Sequence, residues 1–220
     1  MSPDLEGLTM PTESAAAAMK ILRDGSLFQW YVIPLMFFVV YVYASEIERS
    51  NWNIVFAGLA FWAMDWFNEL WNALVFHFTN YAPVWGTPGH TAYLILIGVN
   101  IEIAFTFAIM GIAYAKVLPK DPSMRILGVP NRWFIGISGS IASVIIEYFL
   151  NGVGALTWDY WWWNRGQPVL IVVFGYLTFF MVSFWVHDMA TIRRKAVTVG
   201  ALWGFDVACF VIFALGLNWI

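Results

Sequence analysis

Residues 168–188 read PVLIVVFGYLTFFMVSFWVHD, a stretch without Lys, Arg or Glu in which Asp appears only at the last position. A helix needs about 20 mostly apolar residues to cross the hydrocarbon core of a bilayer. This stretch has the required length, and its one acidic residue lies at the end. We therefore predict a transmembrane helix from Pro168 to Asp188.

Five further segments have a similar length and apolar character. They predict an all-α polytopic membrane protein, a bundle of about six transmembrane helices that forms one domain over residues 27–220. Residues 1–26 are predicted to be a polar N-terminal tail, with a short interfacial helix around the alanine-rich stretch Ala15–Ala18. The six predicted spans are Leu27–Ala44, Trp52–His77, Thr91–Val117, Arg132–Leu156, Pro168–Asp188 and Ala196–Ile220.

The composition agrees with a membrane protein and excludes several other classes. Of the 220 residues, 61% are hydrophobic and 11% are charged, whereas soluble domains have about 45–50% apolar and about 25% charged residues. The net charge of −3 and the lack of a basic stripe argue against a nucleic-acid partner. The single cysteine, Cys209, cannot form an internal disulfide bond.

The basic residues are divided unequally between the two sides of the predicted bundle. Eight of the 11 Lys and Arg residues fall on the side of the loops that follow spans one, three and five. The positive-inside rule places these loops in the cytoplasm and predicts a multi-pass protein with both termini outside it. The loops on the opposite side are aromatic, and the run from Trp158 to Trp163 is denser than an interfacial belt requires, so it is also a candidate roof for a pocket.

Five carboxyl groups fall well inside the predicted spans, and no Lys or Arg lies as far inside any of these spans. Burying an ionisable group in a bilayer costs at least about 2.5–3.5 kcal/mol. Without a cationic partner, such groups must be protonated, bind a cation or share protons with polar neighbours. The five are Asp65, Glu69, Glu102, Glu147 and Asp206.

Helical spacing collects these acids on stripes of small, polar and aromatic residues. In the second span, Asp65, Glu69 and Asn72 advance by four and three residues and share one face. We expect the stripes to converge in the interior, with the five carboxyl groups as candidate catalytic residues. The structural alternative is a set of hydrogen bonds that join the helices. The candidate substrate-binding residues are Trp62, Trp66, Asn72, Trp203 and Tyr176.

The sequence has no motif for a metal or an organic cofactor. A carboxylate-bridged di-metal site would use Glu-x-x-His pairs, and none is present. No lysine lies in mid-span to form a Schiff base, and no Gly-rich phosphate loop occurs. We predict neither a metal nor a cofactor.

The segment Phe67-Asn-Glu-Leu-Trp-Asn-Ala-Leu-Val-Phe76, together with Asp206 in the last span, resembles the small integral-membrane terpene cyclases of meroterpenoid pathways. The resemblance implies metal-free, proton-initiated cyclisation, with Glu69 and Asp206 as the acids. That family has one span more than the six predicted here, and it offers no counterpart for Asp65, Glu102 or Glu147.

Acids in an aromatic membrane interior fit one chemistry in particular. A neutral carboxylic acid in an apolar pocket can protonate an alkene or epoxide, and aromatic faces then stabilise the carbocation. We therefore predict a membrane enzyme that cyclises or isomerises a lipid or isoprenoid substrate. Two alternatives remain open at this stage. One is a transporter or channel for protons or small cations, and the other is a non-catalytic subunit that binds lipid or pigment.

Overall fold

A computed structural model describes residues 10–220, and in this part of the chain the main elements are helices with two short hairpins between them. Helix α6 contains a π-helical segment at 171–177, and α7 ends in a second one at 211–216. The helices are α1 (Glu13–Ile21), α2 (Val32–Glu48), α3 (Trp52–Thr79), α4 (Ile101–Val117), α5 (Asn131–Gly152), α6 (Pro168–Asp188) and α7 (Ile192–Gly216). The strands are β1 (Leu94–Leu96), β2 (Val99–Asn100), β3 (Arg125–Ile126) and β4 (Val129–Pro130).

Local sequence signals account for several helix starts. The side chains of Thr12, Asn100 and Thr191 accept hydrogen bonds from backbone N–H groups in the first turns of α1, α4 and α7. Such caps satisfy donors that have no partner within the helix. Pro168 occupies the first position of α6, where its missing N–H costs nothing.

Three of the described helices, α5, α6 and α7, are both long and apolar enough to cross a membrane. Helix α3 has 28 residues and is about 42 Å long, but it carries two acids, Asp65 and Glu69. Helices α2 and α4 have 17 residues each. The mostly helical membrane fold therefore agrees with the prediction, while the number of spans stays a prediction.

The largest differences from the predicted spans occur at their ends. Residues 91–100, predicted to begin the third span, instead contain the β1–β2 hairpin, and α4 starts only at Ile101. Helix α5 ends at Gly152 rather than Leu156. Helix α2 starts at Val32, later than predicted, and α7 starts at Ile192, earlier than predicted. Where the predicted span is too long, apolar loop residues beside the helix extend the hydropathy signal past its true end. Helix α7 is longer than predicted at its start because the basic residues 193–195 belong to the helix that Thr191 caps.

Helix α3 lies at the centre of the bundle and packs against α4, α6 and α7. Small residues allow the closest approach, because a Cβ atom on Gly111 of α4 would lie 2.7 Å from Cβ of Phe61 and 2.9 Å from the backbone oxygen of Gly58. The outer faces are apolar and exposed, as expected for contact with lipid. Examples are Phe37, Phe38, Tyr41, Ile145, Phe149, Phe174, Phe205 and Val207.

The two ends of the bundle differ in composition. At the aromatic end, defined by residues 80–100 and 153–167, Gly86 and Thr157 exchange two backbone hydrogen bonds. Helix α1 joins the same end, because Arg23 N donates to the backbone oxygen of Leu94. Ala15 and Ala18 of α1 are buried against protein, so the predicted interfacial helix packs on the bundle with one face.

At the basic end, defined by residues 49–51, 118–130 and 189–191, ion pairs join neighbouring helices. Glu46 is 1% exposed, and its carboxylate accepts a hydrogen bond of 2.6 Å from Lys116 Nζ. Lys195, counted as a loop residue in the sequence, is buried and donates to the backbone oxygens of Val186 and His187. The Lys195 cation thus satisfies carbonyl groups at the C-terminal end of α6.

The packing predicts that Gly111→Ala destabilises the protein by about 1–3 kcal/mol, because the added methyl group meets the backbone of α3. Gly200→Ala is the matched control, since nothing lies within 4 Å of its added Cβ. In α7 this change should be neutral or slightly stabilising. Thermal unfolding of the two purified variants in detergent measures the difference. An unchanged melting temperature for Gly111→Ala would contradict the close α3–α4 packing.

Candidate functional site

A cavity of about 270 Å³ lies between α3, α4, α5 and α6, beneath the loops of the aromatic end. Most of its wall is apolar or aromatic. Its acidic groups are Asp65 and Glu69 on α3 and Glu147 on α5. The aromatic and thioether wall residues are Trp85, Phe107, Met110, Trp163, Tyr176 and Phe179.

Glu69 is held by one of its two carboxyl oxygens. Trp85 Nε1 donates a hydrogen bond of 2.8 Å to Oε1, while Oε2 is buried and has no partner among the described residues. The backbone of Gly98, in the β1–β2 turn, lies directly against this carboxyl group. A Cβ atom there would be 2.5 Å from Oε2 and 2.8 Å from Trp85 Nε1, so only glycine allows this approach.

Asn72, one turn beyond Glu69, fixes the loop that carries Trp85. Its Oδ1 accepts hydrogen bonds from the backbone N–H groups of Val84 and Trp85, and its Nδ2 donates to the backbone oxygen of Trp85 at 2.7 Å. Asn72 is fully buried. Predicted as a substrate-binding residue, Asn72 instead holds the residue that orients Glu69.

Glu147 enters the cavity from the opposite wall. Its carboxyl group adjoins the hydroxyl group of Tyr176, and Oε2 is buried with no hydrogen-bond partner among the described residues. Tyr176 belongs to the π-helical segment of α6, whose Ile171 and Gly175 also line the cavity. Single-turn π segments occur often at functional sites, and this one directs an aromatic hydroxyl towards a carboxyl group.

Asp65 connects the cavity to a second acid on α7. It lines the cavity and interacts electrostatically with both Glu69 and Asp206. Asp206 is 3% exposed and lies outside the cavity wall. The predicted placement of Asp206 in one shared cavity is therefore corrected: α7 packs behind α3, and Asp206 reaches the site only through Asp65.

Three aromatic residues predicted to bind substrate lie in this α3–α7 interface instead. The rings of Trp62 and Trp203 meet at 5.1 Å between centroids, and Trp66 meets Phe210 at 6.3 Å. Trp203 Nε1 donates to the backbone oxygen of Leu59. Of the predicted substrate-binding residues, only Tyr176 contributes to the cavity wall.

Glu102 is also separate from the cavity. Its carboxylate accepts hydrogen bonds from the hydroxyl groups of Tyr31 and Thr91 and from the backbone N–H of Ala92. Because α4 begins at Ile101, Glu102 lies in the first turn, at the level of the loops rather than at mid-span. Its hydrogen bonds join the start of α2, α4 and the preceding loop, and its predicted location at mid-span beside the other acids is corrected.

The tryptophan run forms part of the cavity roof. Trp163 is 5% exposed, lines the cavity and packs on Trp85 at 5.8 Å between ring centroids. The roof is tied to α1, because Ser14 Oγ and Thr12 Oγ1 both donate to Asp159 Oδ2, at 2.5 and 3.0 Å. The sequence indicated a roof in this region but gave no signal for Trp85 or Gly98 as partners of Glu69.

The site contains acids and aromatic rings but no arrangement typical of a metal site. In the range 10–220, no three His, Cys, Asp or Glu side chains group closely enough to hold an ion. Three carboxyl groups with unpartnered oxygens in an apolar cavity can exchange protons with a bound molecule. The aromatic walls favour binding of an apolar or electron-deficient group.

Residues 12–215 match a family described as an uncharacterized membrane protein family. The chain belongs to this family. An uncharacterized protein of Archaeoglobus fulgidus is 54% identical over 211 residues, which are 96% of this chain and 100% of that protein. A second uncharacterized protein of the same organism is 47% identical over 54 residues, 24% of this chain and 96% of that protein. No solved structure matches the chain. Together with the three apolar helices, family membership establishes a membrane protein.

Proposed function

We propose that the protein is a membrane-embedded enzyme that cyclises or isomerises a lipophilic substrate of the isoprenoid type by acid–base catalysis. The observation that carries this proposal is the cavity itself, in which Glu69 and Glu147 present unpartnered carboxyl oxygens between aromatic walls. Carboxylic acids in apolar sites serve as proton donors. The resemblance of Phe67–Phe76 to membrane terpene cyclases points to the same chemistry.

In the proposed reaction, Glu69 is the acid. Trp85 Nε1 donates to Oε1, and Oε2 has no hydrogen-bond partner among the described residues, so the proposal assigns the transferred proton to Oε2. Transfer of this proton to an alkene carbon leaves a carbocation, which the ring faces of Phe107 and Phe179 stabilise. General acid catalysis of this kind contributes about 10²–10⁴-fold to the rate.

Glu147 is the proposed proton acceptor. It lies on the wall opposite α3, beside the Tyr176 hydroxyl group. Loss of a proton from carbon to Glu147 ends the reaction, so that the product is an isomer of the substrate and no oxidant or reductant is needed. After the reaction, Glu147 releases this proton to the solvent and Glu69 takes one up. Asp65, which interacts with Glu69 and Asp206, is the group that passes the proton to Glu69.

We propose further that the chain crosses the membrane six times with both termini outside the cytoplasm. Backbone and side-chain contacts support an even number of crossings, because Arg23, which follows α1, donates to the backbone oxygen of Ile220 at the aromatic end. The excess of Lys and Arg near the other end supports a cytoplasmic location for the basic end.

Maleimide labelling of intact cells tests this orientation. With Cys209 replaced by Ser, Asn164→Cys at the aromatic end should react with an impermeant maleimide, while Ser123→Cys at the basic end should react only after permeabilisation. The reverse pattern would contradict the charge argument. Reaction of both cysteines in intact cells would contradict the proposed placement of the two ends on opposite sides.

A second candidate function is proton or small-cation transport. It is favoured by the series of acids from Asp206 through Asp65 and Glu69 to Glu147, which joins α7, α3 and α5. Proton relays in membrane proteins use such series. Purified protein in liposomes should then conduct protons down an imposed pH gradient, an outcome that the enzyme proposal does not expect.

The enzyme proposal is tested with purified protein in detergent. Geranylgeraniol and its terminal epoxide are incubated with the protein in D₂O, and the extracted products are analysed by mass spectrometry. For geranylgeraniol, the proposal expects isomeric products that carry solvent deuterium on carbon, since Glu69 exchanges its proton with the solvent. The epoxide should also give isomers, but without deuterium on carbon, because Glu69 protonates its oxygen. If neither probe is converted and the liposomes conduct protons, the transport function replaces the enzyme.

A further inference from the structure

The cavity opens sideways between α4 and α5. The two helices meet towards the basic end, where Gly139 lies against the ring of Tyr114 and Ser143 Oγ lies 4.0 Å from Met110 Sδ. Nearer the aromatic end, the cavity wall includes residues of both helices that are exposed on the outside of the bundle. Its outermost residues are Ile103, Thr106, Ile146 and Leu150.

This opening, which we call the α4–α5 mouth, faces the lipid region. Ile146 is 58% and Leu150 37% exposed, and Thr106 on the opposite side of the mouth is exposed as well. Ile146 lies about 9 Å before the end of α5, by the rise of about 1.5 Å per residue. A hydrocarbon core about 30 Å thick therefore covers the mouth if α5 spans the bilayer.

The charges of the cavity restrict what can enter through the mouth. Its acids are Asp65, Glu69 and Glu147, and among residues 10–220 no Lys, Arg or His contributes to its wall. A phosphate, diphosphate or carboxylate group would face these acids without a compensating cation, in a region of low dielectric constant. An anionic group is therefore excluded, and the mostly apolar wall favours an uncharged hydrocarbon group.

The cavity is too small for a complete lipid. One water molecule needs about 10–15 Å³ of such cavity space, so a cavity of about 270 Å³ holds a group of roughly 20 non-hydrogen atoms. A long-chain membrane lipid is larger than this. The remainder of such a molecule fits only beyond the mouth, in the bilayer.

We infer that the ligand is a long-chain lipid whose uncharged hydrocarbon end enters the cavity through the α4–α5 mouth, while its head group and most of its chain stay in the bilayer. This inference rests on the proposed function and specifies its substrate class and binding direction. It places the terminal carbons of the chain between Glu69 and Glu147. The enzyme would accordingly act on the far end of the lipid rather than on its head group.

Photolabelling of the purified protein in lipid nanodiscs tests the binding direction without requiring turnover. Three polyprenol probes are used. The first carries a diazirine at the hydrocarbon end, and the second carries it next to the hydroxyl group. The third has the same diazirine as the second, but an amine replaces its hydroxyl group. Peptide mass spectrometry locates the adducts. The inference expects the first probe to label Glu69, Glu147 or their neighbours, and the other two to label residues outside the cavity.

A pair of tryptophan variants tests the route. Ile146→Trp fills the mouth and should lower cavity labelling by at least about tenfold. Ile145→Trp is the matched control, because Ile145 is 53% exposed on the same helix and does not line the cavity. This control should label like the wild type, and both variants should keep the wild-type melting temperature.

The inference is overturned if the hydroxyl-end or amine probe labels the cavity acids, if no probe labels them, or if the two tryptophan variants behave alike. Its failure can be distinguished from failure of the proposed function. Labelling of the cavity by the hydrocarbon end without any product formation would refute the enzyme and keep the binding mode. Product formation together with labelling of the cavity by a head-end probe would keep the enzyme and refute the binding mode.

Discussion

Glu69→Gln is expected to lower the conversion of geranylgeraniol or its epoxide by about 10²–10⁴-fold, the usual contribution of a general acid. Glutamine keeps the shape of the side chain and can still accept the hydrogen bond of 2.8 Å from Trp85, but it has no acidic proton. The measurement is the rate at which equal amounts of folded protein form isomeric product.

Two controls are needed to interpret this result. Glu48→Gln removes a carboxyl group at the exposed end of α2 and should retain the wild-type rate. The melting temperature of Glu69→Gln should remain close to that of the wild type, because the packing is unchanged. An active Glu69→Gln variant would assign the proton donor elsewhere, and a variant that fails to accumulate would indicate that Glu69 stabilises the fold.

Gly98→Ala is expected to reduce conversion by about 10²-fold, since a displacement of about 1 Å in a reacting group can cost that much. The added methyl group would lie 2.5 Å from Glu69 Oε2 and 2.8 Å from Trp85 Nε1, so the acid or the indole must move. The change therefore alters the donor geometry without removing any functional group. Conversion rates and melting temperatures of the purified variant measure the effect.

Gly25→Ala is the control for replacing a glycine outside the α-helices. Nothing lies within 4 Å of its added Cβ, and the rate should not change. If Gly98→Ala converts the probes at the wild-type rate, the contact between Gly98 and the Glu69 carboxyl group has no functional role. If Gly25→Ala also loses activity, and its melting temperature falls as much as that of Gly98→Ala, the effect comes from replacing a glycine by alanine in general.

Asp206 illustrates how the structure changed the expected order of importance. The sequence ranked it beside Glu69, because both are acids in aromatic spans. Its location behind α3 means that it can affect the cavity only through Asp65. Asp206 is therefore a candidate positioning residue rather than a proton donor to the substrate.

The sequence by itself determined the membrane class, the helical fold and the common face of Asp65 and Glu69. Their spacing of four residues suffices, because helical periodicity is a local property. The same periodicity misplaced Glu102, since it assumed a helix from residue 91. The cap at Asn100 and the hairpin before it start that helix ten residues later than expected.

Only the tertiary structure decided which acids share the cavity and what surrounds them. The contacts of Glu69 with Trp85 and Gly98, and the position of Glu147 beside Tyr176, join residues that are 16 to 29 positions apart in the chain. The ion pair between the buried Glu46 and Lys116 joins residues 70 positions apart. Hydropathy and spacing report each helix separately, whereas these contacts depend on how loops fold back and which faces of neighbouring helices meet.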